Sequence, residues 1–195
     1  RNIHDPSLFT GTVFSEMLIN KGLDIKHVVK GVVPNNATKI TEHESKPIFH
    51  SLNGLMKKSE NLTAELLIKH IGLTVFDTVG SWKNGLLAIK TFLHDSVGID
   101  TNTFSLSDGS GLSRYNYTSP NHFISALSWA YNNKNIRNKF LDTFPRGGLD
   151  GTLENRLENI DSTTTVLAKT GSLSGVSCLS GYIISKTNSP LAFSI

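Results

Sequence analysis

The sequence predicts an α+β fold in which a block of helices packs on an antiparallel sheet. Between residues 5 and 130, apolar residues recur at helical spacing in several segments. From Thr164 onward the pattern changes to short alternating or apolar runs separated by Gly and Ser turns, which is typical of an antiparallel meander. The 195 residues are 38% hydrophobic and 18% charged, a composition that favours a folded globular chain over a disordered one.

Five helices are predicted, each from a residue that favours a helix start and an apolar face behind it. In chain order the predicted starts are Asp5-Pro6, Pro47, Asn61, Ser81 and Ser119-Pro120. Gly22 is expected to end the first helix, because glycine readily adopts the conformation that closes a helix. The third helix is expected to run to about His70 and to end at Gly72.

Runs of β-branched and apolar residues predict four strands. One is a short strand from Ile25 to Val33, between the first two helices. The three C-terminal strands are predicted at Thr164–Ala168, Cys178–Ile184 and Leu191–Ile195, with turns at Gly171–Gly175 and Lys186–Ser189. Cys178 is interpreted as a small apolar residue of the core.

Charge and cysteine content exclude several classes of function. The net charge is only +3, and no Lys/Arg run is interleaved with aromatic residues, so we expect no nucleic-acid partner. A single cysteine excludes an internal disulfide framework and a Cys-rich zinc site. The sequence has no stretch of 18 apolar residues that would cross a membrane. Membrane contact by other means and the oligomeric state stay open.

The tripeptide Lys169-Thr170-Gly171, followed by Ser172, comes at the end of a predicted strand. A lysine there supplies a fixed positive charge, and a threonine hydroxyl can bind a substrate carboxylate. A residue without a Cβ lets a substrate backbone lie against the strand edge. The alternative is a simple strand end with a solvated lysine, and the tripeptide alone does not exclude it.

A second candidate motif, Ser59-Glu60-Asn61, lies between two predicted helices. Ser59 and Asn61 are two residues apart at a helix junction and can face one cleft. The serine hydroxyl can relay a proton, and the asparagine amide can hold a substrate carbonyl. The alternative is that Ser59 is the N-cap of the helix that follows.

The two motifs together are more informative than either alone. A Ser-x-Asn triplet followed 110 residues later by Lys-Thr-Gly on a strand matches two of the three signatures of penicillin-reactive serine acyl-transferases. The remaining signature, Ser-x-x-Lys, holds the nucleophile. It does not occur here, because no serine of the sequence has a lysine three positions later.

Four blocks of the sequence resemble, in order, the class C low-molecular-mass penicillin-binding proteins, which are D-alanyl-D-alanine carboxypeptidases/endopeptidases. The blocks are Lys57–Glu65, Asp108–Asn116, Gly148–Leu153 and Ala168–Val176. The resemblance implies a serine β-lactamase/penicillin-binding transpeptidase-like fold, incomplete at both ends. Residues 1–195 would be the C-terminal portion of one D,D-peptidase domain without its nucleophile-bearing segment. We then expect an exposed sheet edge and an uncovered apolar helix face.

The resemblance also implies catalytic roles. Ser59 would relay a proton between the base and the leaving group, and Asn61 would hydrogen-bond the amide groups of the substrate. Lys169 would supply positive potential near Ser59 and the substrate carboxylate. Glu60 stands where an aspartate is more usual, and its side chain is expected to point away from the cleft.

Three neighbouring residues would bind the substrate. Thr170 would bind its terminal carboxylate, Gly171 would let its backbone approach the strand, and the Ser172 N–H would donate to the oxyanion. No metal or organic cofactor is implied.

Two further blocks are interpreted as supports of the site. Ser110 lacks the Gly-x-Ser-x-Gly spacing of a nucleophile elbow, so its block is interpreted as a tight turn in which Asp108 and Arg114 pair. Thr152 is expected to cap a short helix that reaches Arg156.

By this resemblance, the whole protein would be a periplasmic or otherwise extracytoplasmic serine hydrolase. It would cleave D-Ala-D-Ala bonds or D,D cross-links of peptidoglycan stem peptides through an acyl-enzyme, and β-lactams would acylate the same serine. The chain alone would be inactive. Two alternatives stay open: a β-lactamase or esterase on the same scaffold, or a non-catalytic module that senses peptidoglycan or β-lactams.

Overall fold

The computed structural model describes residues 3–195, and the chain divides into two compact units, residues 1–44 and 45–195. In the first unit, helix α1 covers Pro6–Ile19. Its start is as predicted. The Asp5 side chain accepts a hydrogen bond from the Leu8 N–H at 3.0 Å, and Pro6 occupies the first turn, where no backbone donor is needed.

The predicted strand at Ile25–Val33 is wrong. Residues 23–34 have no regular secondary structure, and the side chains of Val32 and Val33 are 96% and 76% exposed. β-branched residues favour a strand only where a neighbouring strand supplies hydrogen bonds and packing. The described part of this unit contains no second strand that could do so.

The second unit holds the other five helices of the described chain. They are α2 (Ile48–Lys58), α3 (Asn61–Phe76), α4 (Trp82–Asp95), α5 (Pro120–Asn132) and α6 (Arg137–Thr143). The first four begin where the sequence predicts, while α6 is not predicted. Ser81 caps α4 by accepting a hydrogen bond from the Asn84 N–H at 3.2 Å, and Ser119 forms a capping box with His122 at α5.

Helix α3 is longer than predicted because Gly72 is a packing position and does not end the helix. A Cβ at Gly72 would lie 2.6 Å from the backbone nitrogen of Gly85 in α4. A Cβ at Gly85 would lie 2.0 Å from the carbonyl oxygen of Ile68 in α3. Two glycines therefore let α3 and α4 pack backbone to backbone, and α3 continues to Phe76.

The sheet has three antiparallel strands in the order β1-β2-β3: Thr164–Leu173, Val176–Ser185 and Leu191–Ser194. β1 is longer than predicted. Lys169, Thr170 and Gly171 lie inside it, opposite Ser180, Leu179 and Cys178 of β2. The predicted turn at Gly171–Gly175 therefore starts too early, and the chain reverses only at residues 174 and 175, where Gly175 has φ +78°.

Two apolar clusters cover the two faces of β1, as the alternation of side chains in a strand requires. Leu167 packs with Leu127, Phe144 and Tyr182 on one face, and the Tyr182 hydroxyl donates to the Leu127 carbonyl oxygen at 2.7 Å. On the opposite face, Val166 and Ala168 pack with Leu153. The middle of β1 is thereby fixed between these two apolar clusters.

None of the described helices has the length and hydropathy needed to cross a lipid bilayer.

Candidate active site

The junction of α2 and α3 holds Ser59 in an unusual backbone conformation. Ser59 follows the last residue of α2 with φ +58° and ψ +47°, in the left-handed region that non-glycine residues rarely adopt. Glu60, and not Ser59, occupies the cap position of α3. Interpreting Ser59 as the N-cap of that helix is therefore wrong, and its hydroxyl is available for another contact.

That contact is with Lys169, which lies 110 residues later in the sequence. The Lys169 ammonium donates to Ser59 Oγ at 2.8 Å and to the carbonyl oxygen of Thr170 at 2.7 Å. Burial lowers the pKa of Lys169, because partial removal from water disfavours its charged form. Among the described residues, no carboxylate forms an ion pair with this lysine. The two sequence motifs thus meet through a charged hydrogen bond.

Thr170 is linked to a residue whose position the sequence does not predict. Its hydroxyl lies 2.8 Å from the hydroxyl of Thr152, which belongs to a single 3-10 turn, Gly151–Leu153. The expectation that Thr152 caps a helix reaching Arg156 is wrong. Asp150 holds the cap position of this turn, which ends at Leu153.

Ser59, Lys169 and Thr170 line a cavity of about 430 Å³, termed here the polar cleft. One side of it is formed by residues 169–173 of β1, another by Ser59, and a third by residues 109–112. An apolar recess of about 350 Å³ adjoins it and shares some of its lining. The recess is lined by Ala126, Leu127, Phe140, Phe144 and Ser180, together with residues common to both cavities.

Two residues differ from expectation in this region. Asn61 is exposed at the first position of α3 and is not among the residues that line the polar cleft. Cys178 is exposed and lines both cavities, so its interpretation as a core residue is wrong. It pairs with Gly171, near the hairpin end of the sheet, where the helices that bury the middle of β1 no longer cover the strands. Glu60 borders the cleft, but its carboxylate is directed away from it, as expected: it accepts a hydrogen bond at 3.1 Å from the hydroxyl of Thr63, which does not line the cleft.

The block around Ser110 is a turn organised by Asp108. The Asp108 carboxylate accepts from the backbone N–H groups of Gly111 and Ser113 at 2.8 and 2.6 Å, and from the Asn116 amide at 2.8 Å. The expected pair of Asp108 and Arg114 does not form. Arg114 donates to the Ser174 carbonyl oxygen at 2.9 Å, which joins this turn to the β1–β2 hairpin.

Glu65 of α3 fixes the same turn to the helices. Its carboxylate accepts from the backbone N–H groups of Gly109 and Ser110 at 3.2 and 2.9 Å, and from the Trp82 indole at 2.6 Å. Burial by itself raises the pKa of Glu65, but these hydrogen bonds outweigh it and lower the pKa overall. The sequence gives no signal for this role, because the turn lies more than 40 residues from Glu65.

Lys57 and Asp150 form a second support that sequence reasoning misses. The two side chains make a short ion pair, and Asp150 also accepts from the Arg146 N–H at 2.9 Å. Burial by itself raises the pKa of Asp150, but the hydrogen bonds from Lys57 and from the Arg146 N–H outweigh this effect, so the pKa is lowered overall. Because Lys57 is two residues before Ser59, this pair anchors the end of α2 that carries the site.

The arrangement combines a half-buried cation, two hydroxyl groups and an open strand edge. Such a set can bind a carboxylate and move a proton between oxygen or nitrogen atoms. Within residues 3–195, no group of three His, Cys, Asp or Glu side chains is placed to hold a metal ion.

Comparison with known proteins gives the family context. The family model described as D-Ala-D-Ala carboxypeptidase 3 (S13) matches residues 1–195. The chain is 35% identical over 162 residues to D-alanyl-D-alanine carboxypeptidase DacB of Haemophilus influenzae, covering 82% of this chain and 33% of that protein. It is 34% identical over 204 residues to the D-alanyl-D-alanine carboxypeptidase of Actinomadura sp. (strain R39), covering 100% of this chain and 37% of that protein.

A solved structure agrees with these matches. The crystal structure of penicillin binding protein 4 (dacB) from Haemophilus influenzae, complexed with a novel β-lactam, matches with a TM-score of 0.78 at 30% identity. The match covers 100% of this chain and 45% of that one. The chain therefore spans about a third of the length of the curated relatives it matches. The predicted fold class and the resemblance are both confirmed: the chain belongs to the D-Ala-D-Ala carboxypeptidase 3 (S13) family.

Proposed function

We propose that this chain forms one side of the active site of a serine D,D-peptidase that hydrolyses the D-Ala-D-Ala ends or D,D cross-links of peptidoglycan. The observation that carries the proposal is the 2.8 Å hydrogen bond from Lys169 to Ser59 across the polar cleft. Peptidoglycan lies outside the cytoplasm, so the proposed protein is extracytoplasmic. The serine nucleophile would be supplied by a segment other than these 195 residues, none of whose serines has a lysine three positions later.

The open edge of β1 supports binding of an extended peptide. The Ala168 N–H points away from β2 and donates to the Pro145 carbonyl oxygen at 3.0 Å. The neighbouring residue Leu167 forms an isolated antiparallel bridge with Arg146, and the pairing on this edge of β1 ends there. Because backbone groups alternate along a strand, the N–H of Thr170 and of Ser172 also point outward, where residues 3–195 supply no further strand. A substrate strand can pair with this edge, and the Ser172 N–H can donate to its oxyanion.

The hydrogen bond between Lys169 and Ser59 suits Ser59 to proton transfer. The ammonium group has only donors and occupies a lone pair of Ser59 Oγ, so the hydroxyl proton of Ser59 must point elsewhere. The positive charge also stabilises negative charge that develops on the substrate, and the low dielectric of a half-buried site strengthens this effect.

The proposed reaction has two steps. The nucleophilic serine oxygen bonds to the carbonyl carbon of the penultimate D-Ala, the amide C–N bond breaks, and the leaving amine takes a proton through the Ser59 hydroxyl. The oxygen of a water molecule then bonds to the ester carbonyl carbon, the bond from that carbon to the serine oxygen breaks, and a proton of the water passes to the serine as the shortened peptide is released. A β-lactam enters the same first step, and its ring amide is the bond that opens.

Labelling by a fluorescent penicillin tests the proposal in the full-length protein that carries these residues. We expect covalent labelling of the wild type, and Lys169→Ala should slow it by about 10²-fold because a preorganised charge is lost. Lys186→Ala is the matched control, since Lys186 is exposed beyond β2 and should leave the rate unchanged.

The 195-residue chain by itself should take up no label, because the proposed nucleophile lies outside it. Unlabelled full-length protein, or a Lys169→Ala variant that reacts at the wild-type rate, would contradict the proposal. Covalent labelling of the chain alone would show that its own residues supply the nucleophile.

A further inference from the structure

Residues 145–153, termed here the bridging segment, connect β1 to the end of α2. On the β1 side, the Gly147 N–H donates to the Val166 carbonyl oxygen at 2.9 Å, and the Pro145 carbonyl oxygen accepts from the Ala168 N–H at 3.0 Å. Leu153 is fully buried beneath the same strand. These contacts fix both ends of the bridging segment relative to the sheet.

The middle of the bridging segment is fixed to α2. Asp150 forms an ion pair with Lys57, and Gly151 packs directly on the backbone of the same residue. A Cβ at Gly151 would lie 2.8 Å from the Lys57 carbonyl oxygen, and Gly151 has φ +62°, so both space and conformation require glycine. Thr152 is held between these two anchors, with its hydroxyl 2.8 Å from that of Thr170.

The two hydroxyl groups share one hydrogen bond, and its direction matters for an anion. In the structure, the Thr170 hydroxyl donates to Thr152 Oγ1. A carboxylate has no proton and only accepts, so Thr170 must redirect its proton to bind one. After a small rotation of its side chain, Thr152 can then donate its own proton to Thr170 Oγ1, the reverse of the direction in the structure. The result is a chain of two hydroxyl groups ending on the carboxylate, in which each bond strengthens the next.

We propose that Thr152 is a positioning residue for the terminal carboxylate of the substrate and acts through Thr170. This inference rests on the proposed function, because it concerns the substrate of the same cleft. A C-terminal amide is uncharged, so its hydrogen bond from Thr170 is weaker than that of a carboxylate. Polarising the Thr170 hydroxyl therefore strengthens binding of the amide less than binding of the carboxylate. The hydroxyl of Thr152 therefore increases the preference of the site for substrates that end in a free carboxylate.

The test compares two substrates in the full-length protein. One is an N-acylated peptide that ends in D-Ala-D-Ala, and the other is the same peptide with a C-terminal amide. For Thr152→Val, the ratio of kcat/KM for the acid to kcat/KM for the amide should fall by about 3- to 10-fold, the usual range for one hydrogen bond. Thr152→Ser, which keeps the hydroxyl, should restore the wild-type ratio.

The ratio separates positioning from a general structural effect, since partial unfolding lowers both rates equally. Thr165→Val is the matched control, because Thr165 is an exposed threonine on β1 that does not line the polar cleft. An unchanged ratio in Thr152→Val, or an equal loss on both substrates, would overturn the inference alone. A wild-type protein that cleaves neither substrate would overturn the proposed function, and the inference with it.

Discussion

At the residue scale, Ser59 combines a strained backbone with the hydroxyl that meets Lys169. Left-handed backbone angles cost an L-residue with a Cβ roughly 1–2 kcal/mol, and this cost is avoided by glycine. Asp77 has the same conformation at the end of α3, with φ +49°, but it lies outside the residues that line the polar cleft. Strain of this kind persists at functional sites because the surrounding structure determines the conformation.

Substituting glycine at each of these two helix ends separates the backbone from the hydroxyl. Asp77→Gly should stabilise the full-length protein by about 1 kcal/mol, and Ser59→Gly by less, because it also loses the hydrogen bond from Lys169. Only Ser59→Gly should slow acylation by penicillin, since only it removes the proposed relay. Calorimetry and penicillin labelling measure the two effects. A Ser59→Gly variant that lost stability would show that the hydroxyl contact with Lys169 contributes more than the strain costs.

Single-residue chemistry could be predicted only in part from the sequence. Ser59, Lys169 and Thr170 stand in motifs whose resemblance to those of penicillin-reactive enzymes implies a shared cleft, and the structure brings Ser59 and Lys169 into contact. Thr152 and Glu65 carry no such pattern. Their partners lie 18 and more than 40 residues away, and the sequence does not show which distant residues the fold brings into contact.

At the element scale, Glu65 joins three parts of the second unit. It lies on α3, accepts from the Trp82 indole at the start of α4, and accepts from two backbone groups of the Asp108–Asn116 turn. Gly109 lets this turn approach closely, because a Cβ there would lie 2.6 Å from the Ala64 carbonyl oxygen. Residues 109–112 of this turn form one side of the polar cleft, so the Glu65 carboxylate fixes the position of that side relative to α3.

The stability contributed by Glu65 should depend on pH. Its pKa in the folded protein lies below the usual 4.5, so the contribution is complete above pH 4.5 and is lost as the pH falls through the lower folded value. Glu65→Gln should reduce the free energy of unfolding by about 1–3 kcal/mol at pH 7 and by less at pH 3. Urea denaturation at both pH values measures this difference. The exposed Glu154 provides the control Glu154→Gln, and an equal loss at both pH values would contradict the role of the carboxylate.

Elements that carry their own local signals were predictable. Asp5, Ser81 and Ser119 mark helix starts because their side chains satisfy N–H groups in the first turn, whatever the rest of the fold does. The failed strand at Ile25–Val33 and the misplaced end of α3 depend on tertiary contacts. A strand needs a neighbour, and Gly72 serves a helix–helix contact that sequence spacing does not reveal.

At the scale of the whole molecule, the residues named in the candidate site all belong to the second unit, residues 45–195. The three-stranded sheet, the bridging segment and the helix junction at Ser59 all belong to this unit. The first unit contributes α1, followed by residues 23–34 and 37–44 without regular secondary structure. The side chains of Val32 and Ile40 in that stretch are 96% and 95% exposed. Few buried contacts protect its backbone, so it should open at low cost in free energy.

Limited trypsin digestion tests this difference in local stability. The first cuts should fall after Lys26, Lys30 or Lys39, because exposed backbone without regular structure fits a protease active site without unfolding. Lysines inside helices, such as Lys57 and Lys90, provide the internal control and should be cut at least about tenfold more slowly. Mass spectrometry of the early fragments identifies the cut sites. First cuts after Lys57 or Lys90 would mean that the helices around the cleft are less stable than the segment that precedes them, and that the contacts of Glu65 and Asp150 do not hold the site together.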